Sequence, residues 1–330
     1  MSSQVPPPRN VLLAAEIRRV IEQAGGRITF RDFMELALYH PLYGYYMSAG
    51  VKTGKSGDYL TSPELTPLFG RTIGRFLARH SIKNVLEFGA GAGGLTAALA
   101  DTFTCSIVER SDDFRQRQRL RLPAVTWLSE VPEGFEGAVL TNEILDALPV
   151  HRVFKDREIY VRSNFGEELD AYSTPELDRY FEKLGVRPSG SAEVNLDACA
   201  LMSSIFQRLA RGLTLTIDYG LEAPDLYEKR LGGTFRTYRR HQLAHDPYKE
   251  VGEVDMTSHV DFTTLMLLGE QHGFRTVLFT TQADFLAAEG IGELLVAVAA
   301  DPDYPLHRQA VMELLNPAGM GSFRVLVQQK

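Results

Sequence analysis

The most constraining feature of this sequence is a regular alternation of short apolar segments and helical segments that begins at residue 84. Short segments rich in Val, Ile, Leu and Thr predict buried strands, and the longer amphipathic segments between them predict helices. Strands that alternate with helices predict an α/β fold with a parallel sheet and crossover helices. The seven predicted strands are NVLEF, CSIVE, VTWL, AVLTN, LTLTID, RTVLFT and FRVLVQ.

The first 80 residues follow a different pattern, with apolar residues at helical spacing in VLLAAEIRRVIEQAG, in TFRDFMELALYH and from Pro63 to about Arg79. We therefore expect residues 1–80 to form a helical N-terminal cap that contributes to the ligand cleft, and residues 81–330 to form the α/β core. Within the core, VFKDREIYVRSN predicts a hairpin with its turn near Asp156. An α/β insertion is expected at about residues 151–211, between the fourth and fifth strands.

A glycine-rich turn, EFGAGAGG, joins the first predicted strand of the core to its first helix. Gly89, Gly91 and Gly94 match the dinucleotide pattern G-x-G-x-x-G, in which glycines let the backbone approach a ligand closely. Glu87, Gly89, Gly91 and Gly93 also match E-x-G-x-G-x-G, which resembles the first motif of S-adenosylmethionine-dependent methyltransferases. A carboxylate at Glu87 can hold the cationic amino group of a methionine moiety, whereas it would repel a pyrophosphate. The turn predicts a Rossmann-like domain and favours S-adenosylmethionine.

Glu109 is the last residue of the second predicted strand, twenty residues after Gly89. An acid at this position can accept hydrogen bonds from both ribose hydroxyls, and this suits either cofactor. A solvated strand end is the alternative interpretation. A NAD-dependent oxidoreductase therefore stays open, although dinucleotide domains commonly begin near their fingerprint and here about eighty residues precede it.

Polar residues also follow the fourth predicted strand, in TNEILDALP. Because the carboxyl ends of the strands face the ligand crevice, Asn142, Glu143 and Asp146 are expected to project toward the transferred group. Such side chains can orient a nucleophile, accept its proton or bind a guanidinium. Helix capping by Asn142 is the competing interpretation. Asp218, at the end of the fifth strand, is a weaker candidate of the same kind.

The stretch AGVKTGKSG looks at first like the end of a phosphate-binding P-loop, which would indicate a nucleotide hydrolase. The first glycine of that pattern would fall at Ala49, and neither a buried strand before it nor a helix directly after Ser56 is predicted. Because a P-loop needs both elements to surround the phosphates, this interpretation is rejected.

Composition excludes several other classes of protein. A net charge of −7 argues against sequence-independent nucleic-acid binding. No apolar run is long enough for a membrane span and MSSQVPPPRN lacks the apolar centre of a signal peptide, so we expect a cytoplasmic protein. Cys105 and Cys199 are far apart, and His241 and His245 have no third ligand nearby, so no metal is expected.

Eight motifs in order, from about Ile28 to the C-terminus, give this sequence a family resemblance. It resembles the MidA-like methyltransferases, and the form of its glycine motif is similar to that of the proteobacterial branch. The motifs are YHPLYGYY, GDYLTSPELTPLFG, VLEFGAGAGGL, TNEILDALPVHRV, IDYG, DPYKEVGEVDMTSHVDF, QADFLAAEGI and PAGMGSFRVL.

The resemblance implies a seven-stranded class I methyltransferase core and S-adenosyl-L-methionine as the cofactor. It also places the segment from Asp58 to Glu64 at the cofactor or acceptor pocket, which makes Lys55 and Ser56 incidental. The residues expected to bind the cofactor are Glu87, Gly89, Ala90, Gly91, Gly93, Glu109, Asn142, Ser62 and Pro63. The residues expected to act in catalysis are Glu143, Asn142, Asp146 and Glu64.

The mitochondrial member of this family is a complex I assembly factor that methylates an arginine of a core subunit. The resemblance therefore implies a protein arginine or another nitrogen acceptor, with a respiratory-complex subunit as a candidate partner. The sequence departs from the family at Val251, where proline is usual, and in residues 319–325, which lack an acid. A small-molecule biosynthetic methyltransferase acting on nitrogen, oxygen or carbon stays open, as does a cofactor-binding assembly chaperone. The oligomeric state is also open, and a homodimer is one option.

Overall fold

The computed structural model describes residues 7–48, 61–239, 242–244 and 246–330. Within these ranges the chain forms two compact units. The first contains the residues up to 48, Ala147–Asp197 and Glu222–His259, and the second contains residues 61–146, Ala198–Leu221 and Val260–Lys330.

The described residues form helices and strands of mostly modest length. The α-helices are α1 Arg9–Gln23, α2 Phe30–Tyr39, α3 Ser62–Leu65, α4 Pro67–Arg79, α5 Gly94–Leu99, α6 Asp112–Arg121, α7 Glu176–Leu184, α8 Leu196–Arg208, α9 Ala223–Tyr227, α10 Phe262–Gln271, α11 Gln282–Ala288, α12 Ile291–Ala297 and α13 Tyr304–Leu314, and a 3₁₀ helix spans Met320–Ser322. The strands are β1 Arg27–Thr29, β2 Asn84–Phe88, β3 Thr104–Val108, β4 Thr126–Leu128, β5 Phe135–Asn142, β6 His151–Phe154, β7 Arg157–Arg162, β8 Glu167–Asp170, β9 Ser191–Val194, β10 Leu209–Asp218, β11 Gly220–Leu221, β12 Arg236–Arg239, β13 Gln242–Ala244, β14 Asp255–Thr257, β15 Val260–Asp261, β16 Arg275–Thr281 and β17 Arg324–Gln329. None of the helices in the described ranges is long and apolar enough to cross a membrane.

The second unit contains a seven-stranded sheet with the strand order β16-β17-β10-β5-β2-β3-β4. From β10 to β4 all neighbours pair in parallel, whereas β17 pairs antiparallel with both β10 and β16. The central strands are buried on both faces, as their continuous apolar sequences predict. All seven strands expected from the sequence lie in this one sheet, so the predicted α/β core is confirmed.

The helices of this sheet begin and end where local chemistry favours it. The side chain of Thr66 accepts a hydrogen bond from the Leu68 N–H at the start of α4, and that of Ser111 caps α6. The first turn of α6 is acidic and its last turn is basic, which suits the helix dipole. The side chain of Thr61, at the start of α3, makes no capping hydrogen bond.

The boundary between the two units differs from the one expected at residue 80. Helix α4 buries Leu68, Phe69, Ile73, Phe76 and Leu77 in the same hydrophobic core as the central strands. Each fully buried side chain of this size contributes about 1.5–3 kcal/mol relative to exposure. Helix α4 therefore belongs to the unit that contains the seven-stranded sheet, although it precedes the first strand of that sheet.

The first unit is formed from three separated stretches of sequence. Its larger sheet has the order β1-β7-β6-β9, with β8 also pairing with β7, and contains the predicted hairpin, since β6 and β7 pair antiparallel. These strands lie between the fourth and fifth strands of the seven-stranded sheet, as expected for the insertion. Strand β1 pairs with β7, so the N-terminal segment is not entirely helical.

A second insertion, between the fifth and sixth strands of the seven-stranded sheet, was not expected. It contains β12, β13 and β14, which form a three-stranded sheet of the first unit. These strands have only three or four residues each. Alternation over so few residues is too short a pattern to distinguish a strand from a loop.

Two glycines allow the central strands to pair closely. Gly212 of β10 lies opposite Gly137 of β5, and a Cβ atom at Gly212 would lie 1.9 Å from the Gly137 carbonyl oxygen. A Cβ atom at Gly137 would in turn lie 2.3 Å from the carbonyl oxygen of Asn84 in β2, so this position has no room for a side chain. The centre of the sheet thus depends on glycine at both positions.

We expect Gly212→Ala to lower the free energy of unfolding by about 3 kcal/mol, because the methyl group would separate two paired backbones at a φ of 131°. Urea denaturation measures the change. Gly292→Ala is the matched control: its Cβ would meet no described atom within 4 Å and it lies inside α12, so it should stabilise by about 0.5–1 kcal/mol. Equal effects of the two substitutions would contradict this account of the sheet.

Candidate active site

The carboxyl ends of β2 and β5 lie side by side in the centre of the sheet. From β2 the chain continues through α5 to β3 and β4 on one side, and then returns to β5 on the other side. The strand order therefore reverses between β2 and β5. Ligands of open α/β sheets bind in the crevice outside the carboxyl ends of the strands at such a switch point.

The glycine loop after β2 has the backbone that a ligand-binding turn requires. Gly89, Gly91 and Gly93 have φ values of 60°, 52° and 79°, in the left-handed region that favours glycine. A Cβ at Gly89 would lie 2.5 Å from Ile144 Cδ1, whereas one at Gly91 would meet no described atom within 4 Å. Ala90, between them, is buried in the hydrophobic core. With respect to the described residues, Gly91 is thus the loop glycine that has room beside its backbone for a ligand.

Glu87 lies near the end of β2 and is only 3% exposed. Its Oε2 accepts hydrogen bonds from the backbone N–H of Thr96, at 3.1 Å, and from the Thr96 hydroxyl. Burial raises the pKa of Glu87 to about 7, although the Thr96 donors oppose this shift. Hydrogen bonds to one carboxyl oxygen of Glu87 therefore connect β2 to α5.

Glu109 follows β3, and each of its carboxylate oxygens has a donor. Oε1 accepts the Ser111 N–H at 2.9 Å, and Oε2 accepts the side-chain amide of Gln118 at 3.1 Å. Burial raises the pKa of Glu109, and these two donors act in the opposite direction. The sequence did not single out Gln118. The sequence signal for Gln118 was weak: it is an uncharged residue four positions after Phe114, and therefore on the same face of a highly charged helix.

Asn142 and Glu143 meet at the end of β5. Glu143 Oε1 accepts the Asn142 side-chain N–H at 3.1 Å and the backbone N–H of Ser62 at 2.8 Å. Glu143 has a φ of 52°, which is rare for a residue other than glycine and is typical of strained functional positions. Its side chain is partly exposed, yet desolvation raises its pKa to about 7, and the charge of Glu64 acts in the same direction.

Asp218 holds the turn that carries Glu143. It is fully buried, and its Oδ2 accepts the backbone N–H groups of Ile144, Leu145 and Asp146 at 3.2, 2.9 and 3.3 Å. Burial, followed by the nearby charge of Glu143, raises the pKa of Asp218 to about 7. From the sequence Asp218 was only a weak candidate for the crevice. The structure gives it three backbone partners at the end of the neighbouring strand and places Asp146 on the same turn.

Helix α3 brings the expected Ser62, Pro63 and Glu64 to the same edge. Besides donating to Glu143 through its N–H, Ser62 is fully buried and its hydroxyl donates to Gln282 at 3.3 Å. A Cβ at Gly94, the first residue of α5, would lie 2.9 Å from the Pro63 carbonyl oxygen. The helix therefore packs between the glycine loop and Glu143.

Several sequence candidates lie outside the described residues: Ala49, Lys55, Ser56, Asp58, His241 and His245. In the part of the chain that the structure covers, no group of three or more His, Cys, Asp and Glu side chains is placed to hold a metal ion.

Comparison with known proteins agrees with this geometry. The sequence profile of a family of S-adenosyl-L-methionine-dependent methyltransferases matches residues 72–280, which include the glycine loop, Glu109, Glu143 and Asp218. The chain therefore belongs to this family. The match covers more than half of the chain, so the predicted enzyme class and cofactor are confirmed: the protein is a methyltransferase and uses S-adenosyl-L-methionine.

Relatives and solved structures of this family extend over most of the chain. The mitochondrial protein arginine methyltransferase NDUFAF7 homolog of Drosophila melanogaster is 28% identical, over 94% of this chain and 83% of that protein. The Mus musculus protein of that name is 27% identical, over 90% of this chain and 79% of its own length. A COG1565 superfamily member from Burkholderia thailandensis bound to S-adenosyl-homocysteine is 32% identical, with a TM-score of 0.89 over 100% of this chain and 95% of that one. The predicted MidA-like resemblance and the methyltransferase fold are confirmed.

The residues at the switch point fit this cofactor. S-adenosyl-L-methionine has hydrogen-bond donors in its ammonium group and in its two ribose hydroxyls. The edge of the sheet has hydrogen-bond acceptors in the carboxylates of Glu87 and Glu109. Asn142 Oδ1 is buried and has no hydrogen-bond partner among the residues that the structure describes. Because buried polar atoms are normally hydrogen-bonded, this oxygen fits a hydrogen-bond donor from a ligand such as this cofactor.

We expect the ligand-free Glu143→Gln variant to be more stable than ligand-free wild type, by a difference that increases as the pH rises. The pKa of Glu143 is raised in the folded state, so the folded state binds the extra proton and loses stability between about pH 4.5 and 7 as the carboxyl ionises. The glutamine retains Oε1 as an acceptor. At pH 8 the variant should be up to about 3 kcal/mol more stable than wild type, and at pH 4.5 nearly equal.

Urea denaturation across this pH range measures the difference, with Glu136→Gln, at an exposed position of the same strand, as the control. A stability difference that does not change with pH would show that Glu143 is not desolvated in the folded protein.

Proposed function

We propose that this enzyme transfers the methyl group of S-adenosyl-L-methionine to a nitrogen of a protein arginine. The observation that carries the proposal is Glu143, a partly exposed carboxylate in a strained backbone at the switch point. It lies beside the Asn142 amide, whose buried oxygen has no hydrogen-bond partner within the described ranges. Relatives whose names describe protein arginine methyltransferases support this acceptor. A respiratory-complex subunit is the candidate partner that follows from the family resemblance.

The cofactor would lie along the edge formed by the glycine loop and Glu109. We assign Glu87, Gly89, Ala90, Gly91 and Gly93 to its methionine end, since the loop backbone is open at Gly91. Glu87 Oε1, which takes neither Thr96 contact, is the oxygen available to the amino group. S-adenosyl-L-methionine supplies an electrophilic methyl group on its sulfonium.

Glu109 is assigned to the ribose hydroxyls, and Ser62, Pro63 and Asn142 would border the cofactor where α3 packs against α5. The Ser62 N–H and the Asn142 amide both bind Glu143, so cofactor and acceptor residues share one hydrogen-bonded group. This connection supports placing the two ligands next to each other.

On the acceptor side, Glu143 would hold a guanidinium or take its proton, and both tasks require the ionised carboxylate. The Ser62 N–H and the Asn142 amide both donate to Oε1, and Oε2 would serve the acceptor. Glu64 and Asp146 add acidic groups near the same turn, and Asp218 fixes that turn through three backbone N–H groups. Positioning and proton removal are what methyl transfer to nitrogen asks of a protein.

A small-molecule methyltransferase and an assembly chaperone are the alternatives, and both are outcomes of the tests below. The homodimer and the cytoplasmic location stay predictions. The named relatives are mitochondrial, so cell fractionation of the organism that produces this protein is the direct test of its compartment.

We expect Glu143→Gln to lower the rate of methyl transfer by about 10²–10⁴-fold without weakening S-adenosyl-homocysteine binding, because a positioned acid or base contributes about this factor. The wild-type rate should rise with pH through about 7 as Glu143 ionises, and the residual rate of the variant should not. The measurement is transfer of labelled methyl to protein arginine in an extract that lacks this enzyme, followed by amino-acid analysis.

Label in small molecules instead of arginine would favour the biosynthetic alternative. A variant that loses turnover but still binds its protein partner indicates an enzyme, whereas absence of turnover in wild type with partner binding retained indicates a chaperone.

We expect Gly91→Val to abolish binding of S-adenosyl-homocysteine, since a β-branched residue at a φ of 52° is strained and its side chain would occupy the ligand approach. Titration calorimetry with this ligand, with NAD and with ATP measures the effect. Gly134→Val introduces similar strain, at a φ of 72°, before the amino end of β5 and should retain binding. Tight binding by Gly91→Val would place the cofactor elsewhere.

A further inference from the structure

Gln118 is a fully buried amide on a helix that is otherwise rich in charge. Helix α6 has the sequence DDFRQRQRLR, and among its residues only Phe114 and Gln118 are buried. The two are four residues apart, so they lie on the same face of the helix. Burial of a side-chain amide is unfavourable unless its donors and its acceptor all find partners.

Every polar atom of Gln118 has a partner. Nε2 donates to the Gly91 carbonyl oxygen at 2.9 Å and to Glu109 Oε2 at 3.1 Å, and Oε1 accepts the indole N–H of Trp127 at 2.9 Å. An indole nitrogen can only donate, so the atom that faces Trp127 must be the amide oxygen. The contact with Trp127 therefore directs the two N–H donors toward the glycine loop and Glu109.

These contacts connect two parts of the cofactor site that are separate in the sequence. Gly91 is the open point of the glycine loop, and its carbonyl is held by Gln118. Glu109 Oε1 is held by the Ser111 N–H and Oε2 by Gln118, so the orientation of this carboxylate is set by its protein partners. Groups that are oriented in advance do not lose conformational entropy when a ligand binds.

We propose that Gln118 is a positioning residue for the cofactor, which fixes the carboxylate of Glu109 and the peptide of Gly91 relative to each other through its amide group. The proposal rests on the assignment of Glu109 to the ribose. Gln118 would act on the two ends of the cofactor through Glu109 and Gly91, to which its amide donates.

Gln118→Leu keeps the size of the side chain and removes its donors. We expect it to weaken S-adenosyl-homocysteine binding by about tenfold to hundredfold, since it removes the Gln118 donor from Glu109 Oε2 and from the Gly91 carbonyl oxygen. Titration calorimetry measures the affinity and thermal unfolding checks that the variant is folded. Gln116→Leu, at an exposed position of the same helix, is the matched control and should bind as wild type does.

Gln118→Glu separates positioning from packing, because it keeps the shape and faces Glu109 with a second carboxyl. At pH 8 both groups are ionised and repel each other, whereas near pH 5.5 they share a proton that restores one hydrogen bond. The ratio of the variant's Kd to the wild-type Kd should therefore fall as the pH falls. A role in packing alone would give a ratio that does not change with pH, and this result would overturn the proposal even if Gln118→Leu did not fold.

Glu109→Ala distinguishes the failure of this proposal from failure of the ribose assignment. If Glu109→Ala weakens binding while folded Gln118→Leu binds like Gln116→Leu, the role of Gln118 is overturned and the assignment of Glu109 stands. If Glu109→Ala has no effect on binding, the ribose assignment fails and the proposed role of Gln118 fails with it. Weakened binding in both variants, with the pH-dependent ratio in Gln118→Glu, supports the proposal.

Discussion

The parallel pairing of β5 with β2 on one side and β10 on the other is the constraint on which the site depends. Gly137 and Gly212 allow these three backbones to approach, and their pairing brings the ends of the strands to a common edge. Three carboxylates from distant parts of the sequence then lie at that edge, namely Glu87, Glu143 and Asp218. Without this pairing the glycine loop after β2 and the strained turn at Glu143 after β5 would not lie next to each other.

Three carboxyl groups at this edge of the sheet lower the stability of the folded protein as they ionise. Glu87, Glu143 and Asp218 each have a pKa raised to about 7, mainly by desolvation, so ionising them is unfavourable in the folded state. Backbone N–H groups offset part of this cost at each position, from Thr96, from Ser62 and from the turn after β5. Perturbed carboxylates of this kind cluster at functional sites more often than in structural cores.

Much of the core could be predicted because its signals are local. Strands buried on both faces are continuous apolar segments, and a glycine turn between a strand and a helix is a contiguous motif. The second insertion was missed because its strands are very short. Helix α4 was expected in a separate cap, since helical spacing shows which face is apolar but not what that face packs against.

The sequence by itself determined the α/β class, the seven strands, the glycine loop and the acidic residues at the strand ends, because periodicity and backbone conformation depend on neighbouring residues. Only the tertiary structure decided which of these groups meet. The contacts of Gln118 with Gly91 and Glu109, and of Asp218 with the turn that carries Glu143, join residues that are 9 to 74 positions apart. Such contacts depend on how strands pair and helices pack, and no local pattern contains that information.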